Sequence, residues 1–366
     1  MSRLFRRTLV GVALGIILYI ALLIYWGVDE FADIIGPSTW LAFSWALAGS
    51  SLNYALRFLK WALCLSWLGI HRDLNREGRR LSKSRSLAIY LAGLSMSVTP
   101  GKVGEVLRSS LLQASEGVPF ARTAPVVVAD RLSDLLALIV LSLVGMASFP
   151  EYWLYVAMLG ILVVIAVVIL GTPRICLALL RRVGALPRLS SIGQKAAALT
   201  TSASVLLRLR SLMLLTLISV VGWWLECVGY WWILSSFSST EVGLRTCTFL
   251  WSTTTLVGAL SFLPGGLGAT EASLGVLVLE LVPGLKAAAA VASTMLIRAA
   301  TLWFGEVVGA FALVRLLRDS KFRDQTKQSL SQAKLLGEKS ANPSTDHGGE
   351  LASRAEQSSI PRNDKA

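Results

Sequence analysis

The run Thr99-Pro100-Gly101-Lys102-Val103-Gly104-Glu105-Val106-Leu107-Arg108 lies within an otherwise apolar part of the chain. It combines a proline and two glycines with three ionisable side chains. A helix that faces lipid excludes such a run, because a broken backbone and charged groups find no hydrogen-bond partners in hydrocarbon. We therefore expect this run to be enclosed by protein or to line a polar cavity.

A second run with the same features occurs far downstream, as Leu263-Pro264-Gly265-Gly266-Leu267-Gly268-Ala269-Thr270-Glu271. Both runs read Pro-Gly, any residue, an apolar residue and Gly, and a Glu follows each. Broken helices that meet near the middle of the bilayer are a common way to build a binding site in membrane transporters. We expect the two breaks to face each other and to form one site for a lipid headgroup.

The composition indicates an all-α polytopic membrane protein. Of the 366 residues, 54% are hydrophobic and 16% are charged, and the mean hydropathy is +0.63. Soluble domains carry about 25% charged residues. The net charge of +13 is interpreted as loops that face an anionic cytoplasmic leaflet, so no nucleic-acid partner is expected.

The distribution of apolar runs predicts about six full spans and two re-entrant helical hairpins, arranged as an inverted repeat. The run before Pro100 has about 13 residues, which reach roughly 20 Å and so only the bilayer midplane. The predicted spans cover residues 8–26, 39–70, 124–149, 153–170, 211–235 and 287–317, and the hairpins cover 86–112 and 243–282.

The topology predicts one membrane domain over residues 1–317, with a basic cytoplasmic loop at 171–210 and a disordered cytoplasmic tail at 318–366. With this assignment, 27 of the 35 lysines and arginines lie in cytoplasmic segments. Such an asymmetry places both termini in the cytoplasm. The expected location is the cell membrane.

Several charged side chains fall within the predicted spans. Asn53, Arg57 and Lys60 share one face of a helix, and the simpler alternative is that Arg57 and Lys60 extend to the cytoplasmic interface. Glu226 has no partner that the sequence identifies. The predicted headgroup site draws its residues from both breaks and from the spans that follow them: Gly101, Lys102, Gly104, Glu105, Arg108, Asp130, Arg131, Asp134, Gly265, Gly266, Gly268, Glu271 and Arg298.

Each group of residues in this set has an expected task. The glycines let the backbone approach a ligand closely, and the free N–H groups of two half-helix starts favour an anion. The lysine and arginines bind phosphate oxygens, and the acids hold these bases in place or bind a proton or a cationic headgroup. Structural alternatives are that Glu271 only caps a half-helix, that Arg131 pairs with Asp134, and that Arg298 and Glu306 pair with neighbouring helices.

These motifs, together with Asp130-Arg-Leu-Ser-Asp134, resemble the lysylphosphatidylglycerol synthase transmembrane-region family. This is the flippase-like domain found in multiple peptide resistance factor. The resemblance covers about residues 6–318 and implies lipid translocation. Aminoacyl transfer belongs to a separate soluble domain in that factor, and the polar tail here is too short to form one. Family members often have Glu at the position of Asp130, a change that keeps the charge.

We expect a lipid translocase that moves an anionic phospholipid or a polyprenyl-phosphate-linked lipid between leaflets. An enzyme is disfavoured because the sequence has no G-x-S-x-G, no paired histidines and no Asp-x-Asp motif. No cofactor and no metal are expected. The alternative is a non-catalytic membrane partner of a glycosyltransferase or lipid-modifying enzyme. A cytoplasmic transferase partner and a homo-oligomeric state both remain open.

Overall fold

The computed structural model describes residues 34–71, 81–98, 103–146, 205–237 and 241–319, together with residue 203, residue 322 and some residues between 148 and 165. Residues 103–105 are described by their backbone alone. The described ranges form nine α-helices and contain no strand. The helices are α1 (Pro37–Trp67), α2 (Lys83–Ala92), α3 (Val103–Glu116), α4 (Phe120–Met146), α5 (Leu209–Ser235), α6 (Leu244–Leu260), α7 (Ala269–Leu281), α8 (Ala287–Arg298) and α9 (Phe304–Arg318).

Four helices, α1, α4, α5 and α6, form the centre of the bundle. The 31-residue helix α1 packs along α5, and α4 packs against both α5 and α6. A single π turn, Ala299–Trp303, joins α8 to α9, so that these two helices run on as one. This turn contacts α1, and such turns often occur at functional sites.

Each predicted hairpin consists of two short helices. The first contains α2, the 3₁₀ turn Gly93–Met96 and α3, and the second contains α6, the 3₁₀ turn Pro264–Gly266 and α7. The ten residues of α2 and the 13 of α7 extend about 15 and 20 Å, less than the hydrocarbon thickness of about 30 Å. Residues 99–102, where the first break was predicted, lie outside the described residues.

The buried apolar side chains form two clusters, and polar groups lie between them. One cluster includes Trp61 and Leu65 of α1 with Leu212 and Leu215 of α5. The other includes Ala42 and Ala46 of α1 with Tyr230 and Ile233 of α5. Between these positions, several polar residues of α1 and α5 are buried as well, namely Ser50, Asn53, Lys60, Ser219 and Glu226. The bundle therefore has two apolar ends and a polar middle.

Two of the described helices are long and apolar enough to cross a membrane, namely Leu209–Ser235 and the continuous helix Ala287–Arg318. Both agree with predicted spans. Helices α1 and α4 match two more predicted spans in position but carry charges in their interiors. The predicted span 8–26 lies outside the described residues, as do most of the span 153–170 and the basic loop 171–210.

The end of the bundle differs from the sequence prediction at one position. The tail was expected to be disordered from residue 318, but Phe322 is only 1% exposed and belongs to the apolar cluster around Trp61. The guanidinium of Arg85 lies over its ring, 5.6 Å from the centroid. Phe322 is therefore part of the buried apolar core of the bundle.

Candidate functional site

The polar middle of the bundle contains a buried ion-pair network. Lys60 is 1% exposed, and its Nζ lies 2.6 Å from Oδ1 of Asp130 and 2.8 Å from Oδ1 of Asp134. Nζ also donates to the Ser219 hydroxyl at 2.7 Å. The alternative that Lys60 extends to the cytoplasmic interface is therefore wrong, because its charge is neutralised inside the bundle.

Arg57 lies one helical turn before Lys60 and belongs to the same network. Its guanidinium donates to Oδ2 of Asp134 and lies over the ring of Trp223, 5.4 Å from the centroid. The carboxylate of Asp134 thus accepts from both Arg57 and Lys60 across helices α1 and α4. The sequence had offered Arg131 of the same helix as a structural partner for Asp134, whereas the ion pairs found here join Asp134 to Arg57 and Lys60 of α1.

Three glycines with positive φ values and one ion pair fix the backbone conformation of the second break. Gly265, Gly266 and Gly268 have φ values of +60°, +69° and +84°, which residues with a side chain rarely adopt. Glu271 Oε2 accepts the Gly268 amide at 2.8 Å, and its Oε1 accepts from Arg298 Nε at 2.7 Å. Arg298 Nη2 also donates to the Gly265 carbonyl at 2.8 Å.

The ion pair between Glu271 and Arg298 therefore links the second break to α7 and α8, and we call this pair the clip. The capping role of Glu271 is confirmed, and the partner of Arg298 is identified. The Gly268 amide is already occupied by this carboxylate. This corrects the expectation that the start of α7 offers that N–H group to an anion.

The chain before the first break contacts the second break. A Cβ placed on Gly265 would lie 3.4 Å from the Cα of Val98, the last described residue before Thr99. The Val98 amide donates to Glu306 Oε1 at 2.7 Å. The chain just before the first break therefore lies against the second break, and Glu306 of α9 fixes its position. The first break itself lies outside the described residues, so that the meeting of the two breaks stays a prediction.

A cavity of about 110 Å³ lies where the break, the network and the central helices meet. One water occupies roughly 10–15 Å³ by this measure, so the cavity has room for a small headgroup. Its charged lining comes from α1, α3, α4, α5 and α8. The charged lining residues are Arg57, Arg108, Arg131, Glu226 and Arg298.

Three polar atoms in the lining have no hydrogen-bond partner among the described residues. They are Nε of Arg108, Nε1 of Trp223 and Oγ1 of Thr255. Arg108 is 5% exposed, and its guanidinium lies over the Tyr90 ring at 4.2 Å from the centroid. Buried polar groups are nearly always paired in native proteins, so unpaired donors around one cavity indicate a ligand that accepts hydrogen bonds.

The structure separates the predicted site residues into three groups. Arg108, Arg131, Gly265, Gly266 and Arg298 line the cavity. Asp130, Asp134, Gly268 and Glu271 lie behind it, where they hold the cations or shape the break. Gly101 and Lys102 lie outside the described residues, and Gly104 and Glu105 are described only by their place in α3.

Sequence reasoning did not include Arg57, Trp223 or Glu226 in the site, yet all three line the cavity. Asn53 donates to Glu226 Oε1, and Trp251 Nε1 donates to Oε2 at 3.3 Å. An ionisable residue within a span is by default a candidate for function. By this rule, Glu226 could have been identified as a candidate site residue from the sequence alone.

The apolar helices and the charged cavity between them define a helical membrane protein with a polar site within the bundle. The chain belongs to the family described as Lysylphosphatidylglycerol synthase TM region, whose sequence profile matches residues 9–309. This confirms the resemblance drawn from the sequence motifs. No curated protein matches the chain.

Proposed function

We propose that this protein is a lipid translocase, which binds an anionic headgroup in the cavity and moves the lipid between leaflets. The substrate is an anionic phospholipid or a polyprenyl-phosphate-linked lipid. The observation that supports the proposal most is the excess of arginine around a cavity between the helices whose hydrogen-bond donors are only partly used. Membership of a membrane family connected with lipid modification supports it.

Arg108 is the residue on which headgroup binding depends most. Asp134 accepts from Arg57 and Glu271 accepts from Arg298, so that both of these guanidinium groups already have a carboxylate partner. Arg108 instead stacks on Tyr90 and keeps an unpaired Nε. A guanidinium suits phosphate oxygens because its planar fork donates two parallel hydrogen bonds.

In this proposal, the headgroup crosses the membrane between the two helical hairpins that contain the breaks. The two hairpins enter from opposite faces as an inverted repeat among about six full spans, and both termini are cytoplasmic. The short lengths of α2 and α7 and the contact between Val98 and Gly265 support this arrangement. Alternating exposure of a site at the repeat interface is how inverted-repeat transporters move their substrates. The proposal contains no chemical step, cofactor or metal.

A liposome assay with fluorescent phosphatidylglycerol tests the proposal. The full chain is reconstituted, and an added reductant that does not cross the membrane quenches the probe in the outer leaflet. We expect the protein to expose the inner-leaflet probe to the reductant. Arg108→Gln should slow this movement by at least about tenfold, because a hydrogen bond to a charged group contributes about 1.5–3 kcal/mol.

The matched control is Arg245→Gln, which removes an exposed arginine in the first turn of α6. It should move lipid as fast as the unmodified protein. Equal rates for Arg108→Gln and the unmodified chain would rule out headgroup binding at this cavity. If the unmodified chain moves no lipid and co-purifies with a soluble transferase, the alternative of a non-transporting partner is favoured.

A further inference from the structure

The described charges around the cavity and the second break cancel before any ligand binds. Among the side chains described there, five are cationic, namely Arg57, Lys60, Arg108, Arg131 and Arg298. Five are carboxylates, namely Asp130, Asp134, Glu226, Glu271 and Glu306. A bound anionic headgroup would therefore leave one negative charge without compensation. Buried charges are costly unless they are paired, and a proton on one of the carboxylates would restore the balance.

The contacts of the five carboxylates show which of them can take up that proton. Three lie in ion pairs, namely Asp130, Asp134 and Glu271. A proton on any of these would leave a buried basic group without its partner. Among the described residues, Glu226 and Glu306 accept hydrogen bonds from neutral donors only. Glu306 holds Val98, whereas Glu226 lines the cavity, so that Glu226 is the carboxylate placed to respond to a ligand.

The hydrogen bonds of Glu226 leave room for a proton on its carboxylate. The side chain lies on α5, and the residue is only 4% exposed. Asn53 Nδ2 donates to Oε1 at 2.5 Å, and Trp251 Nε1 donates to Oε2 at 3.3 Å. The bond to Oε2 is the longer one, and each carboxylate oxygen has room for a second partner. The anionic form repels a phosphate, whereas the protonated form is neutral and can donate a hydrogen bond to a phosphate oxygen.

Helix α5 packs against α1, α4, α6 and α8, and α3 contributes to the same cavity. The charged and titratable groups that these helices place around Glu226 are Tyr54, Arg57, Arg108, Arg131, Asp134 and Arg298. Helix α6 contributes the Trp251 indole, which does not titrate, and the neighbouring thiol on α5 is Cys227. Of the cations, Arg57 acts most strongly on Glu226, but Asp134 already balances its charge. A proton on Glu226 therefore breaks no described ion pair.

We propose that binding of the anionic headgroup is coupled to the uptake of one proton by Glu226. The proton comes from water and binds to a carboxylate oxygen, so that no other bond is made or broken. Because linkage is reciprocal, the proton strengthens headgroup binding by the same factor by which the headgroup strengthens proton binding. A pH difference across the membrane can then drive the movement of the lipid. This inference rests on the proposed function, because it requires an anionic headgroup in the cavity.

The affinity for short-chain phosphatidylmethanol at different pH values tests the inference on the purified full chain in detergent. The phosphodiester of this lipid keeps one negative charge from weakly acidic to weakly alkaline pH, so that a change of affinity reports on the protein. The dissociation constant should rise with pH by up to about tenfold per pH unit, because deprotonated Glu226 must take up a proton when the lipid binds. An affinity that does not fall with rising pH overturns the inference and leaves the translocase proposal standing.

Variants then assign the proton to one carboxylate. Glu226→Gln has a neutral amide in place of the acid and should bind phosphatidylmethanol equally well at every pH. At alkaline pH it should bind at least about tenfold more tightly than the unmodified chain, a gain that poor folding cannot produce. Glu241→Gln, which changes an exposed acid before α6, should keep the pH dependence. Loss of the pH dependence in Glu306→Gln, with its retention in Glu226→Gln, would overturn the role of Glu226.

Proton uptake can also be counted directly, without any variant. Phosphatidylmethanol is added to the unmodified chain in weakly buffered detergent, at a pH where its affinity is falling, and a pH indicator dye records the change. We expect about one proton taken up per bound lipid. Binding without proton uptake overturns the inference and leaves the translocase proposal standing. Failure of the unmodified chain to bind the lipid at any pH counts against the proposed function itself.

Discussion

Lys60 carries the most buried charge of the ion-pair network, and its position shows how the bundle tolerates charged side chains. Its ammonium group contacts two carboxylates and a hydroxyl that come from α4 and α5. Removing one member of a buried ion pair is costly because the remaining charge keeps its desolvation penalty without a partner. The network is therefore expected to be sensitive to single substitutions.

Replacing Lys60 with methionine should destabilise the protein by about 3–5 kcal/mol, because Asp130 and Asp134 then share a buried site with one cation fewer. Denaturant unfolding of the detergent-solubilised protein measures this loss. Lys286→Met, at an exposed position before α8, is the matched control and should change stability by less than about 0.5 kcal/mol. Equal stability of the two variants would contradict a structural role for the network.

At the scale of helices, the contact between α4 and α6 depends on the absence of one side chain. A Cβ on Gly145 of α4 would lie 2.5 Å from the backbone nitrogen and 2.7 Å from the Cα of Phe249 on α6. Backbone atoms of a packed helix have little freedom to move aside. Small residues at helix contacts allow such close approach in membrane proteins.

Gly145→Ala should therefore lower stability by about 1–3 kcal/mol, the usual cost of overpacking, because α4 and α6 must separate. Gly275→Ala is the control, since a Cβ on Gly275 meets nothing within 4 Å on the same kind of helix. Alanine favours a helix over glycine by about 1 kcal/mol, so this variant should be as stable as the original or slightly more stable. Thermal unfolding of both variants makes the comparison.

The clip between α7 and α8 is expected to stabilise the second break, because its two buried charges neutralise each other. Glu271→Gln keeps an oxygen for the Gly268 amide but leaves Arg298 without its carboxylate, so it should destabilise the protein by about 3 kcal/mol. Arg298→Gln should have a similar effect. The double variant should lose less than the sum of the two, because residues in direct contact are coupled. Additive losses would show that the two residues act independently.

On the scale of the whole molecule, the distribution of polarity is reversed relative to a soluble protein. Large apolar side chains such as Trp40, Leu217 and Phe311 are exposed, whereas charged residues are buried between two apolar clusters. The hydrophobic effect does not hold such helices together in lipid, so packing and buried polar contacts do. A ligand that satisfies the remaining polar atoms should then stabilise the whole bundle.

Anionic lipid should therefore raise the unfolding temperature of the purified protein. A ligand present at 100 times its dissociation constant stabilises the folded state by about 2.7 kcal/mol. Short-chain phosphatidylglycerol should produce this shift in the unmodified chain and little or none in Arg108→Gln. A neutral short-chain diacylglycerol controls for general effects of the acyl chains. The same shift with both lipids would contradict headgroup binding at the cavity.

The second break and most of the described helices could be predicted from the sequence because their signals are local. Proline and glycine interrupt a helix wherever they occur together, and the 3₁₀ turn Pro264–Gly266 lies where the second break was expected. The bounds of α5 and of the last helix followed from apolar length alone. The resemblance to the family rested on short motifs and was confirmed by the match over residues 9–309.

The sequence by itself determined that this is a helical membrane protein of the family, with charged residues at two helix breaks. Only the tertiary structure decided which charges face the cavity and which neutralise one another. Partners such as Asn53 and Glu226, or Val98 and Glu306, are 173 and 208 residues apart. Helical periodicity tells which side chains share a face, but the choice of partner depends on which faces the packed helices bring together.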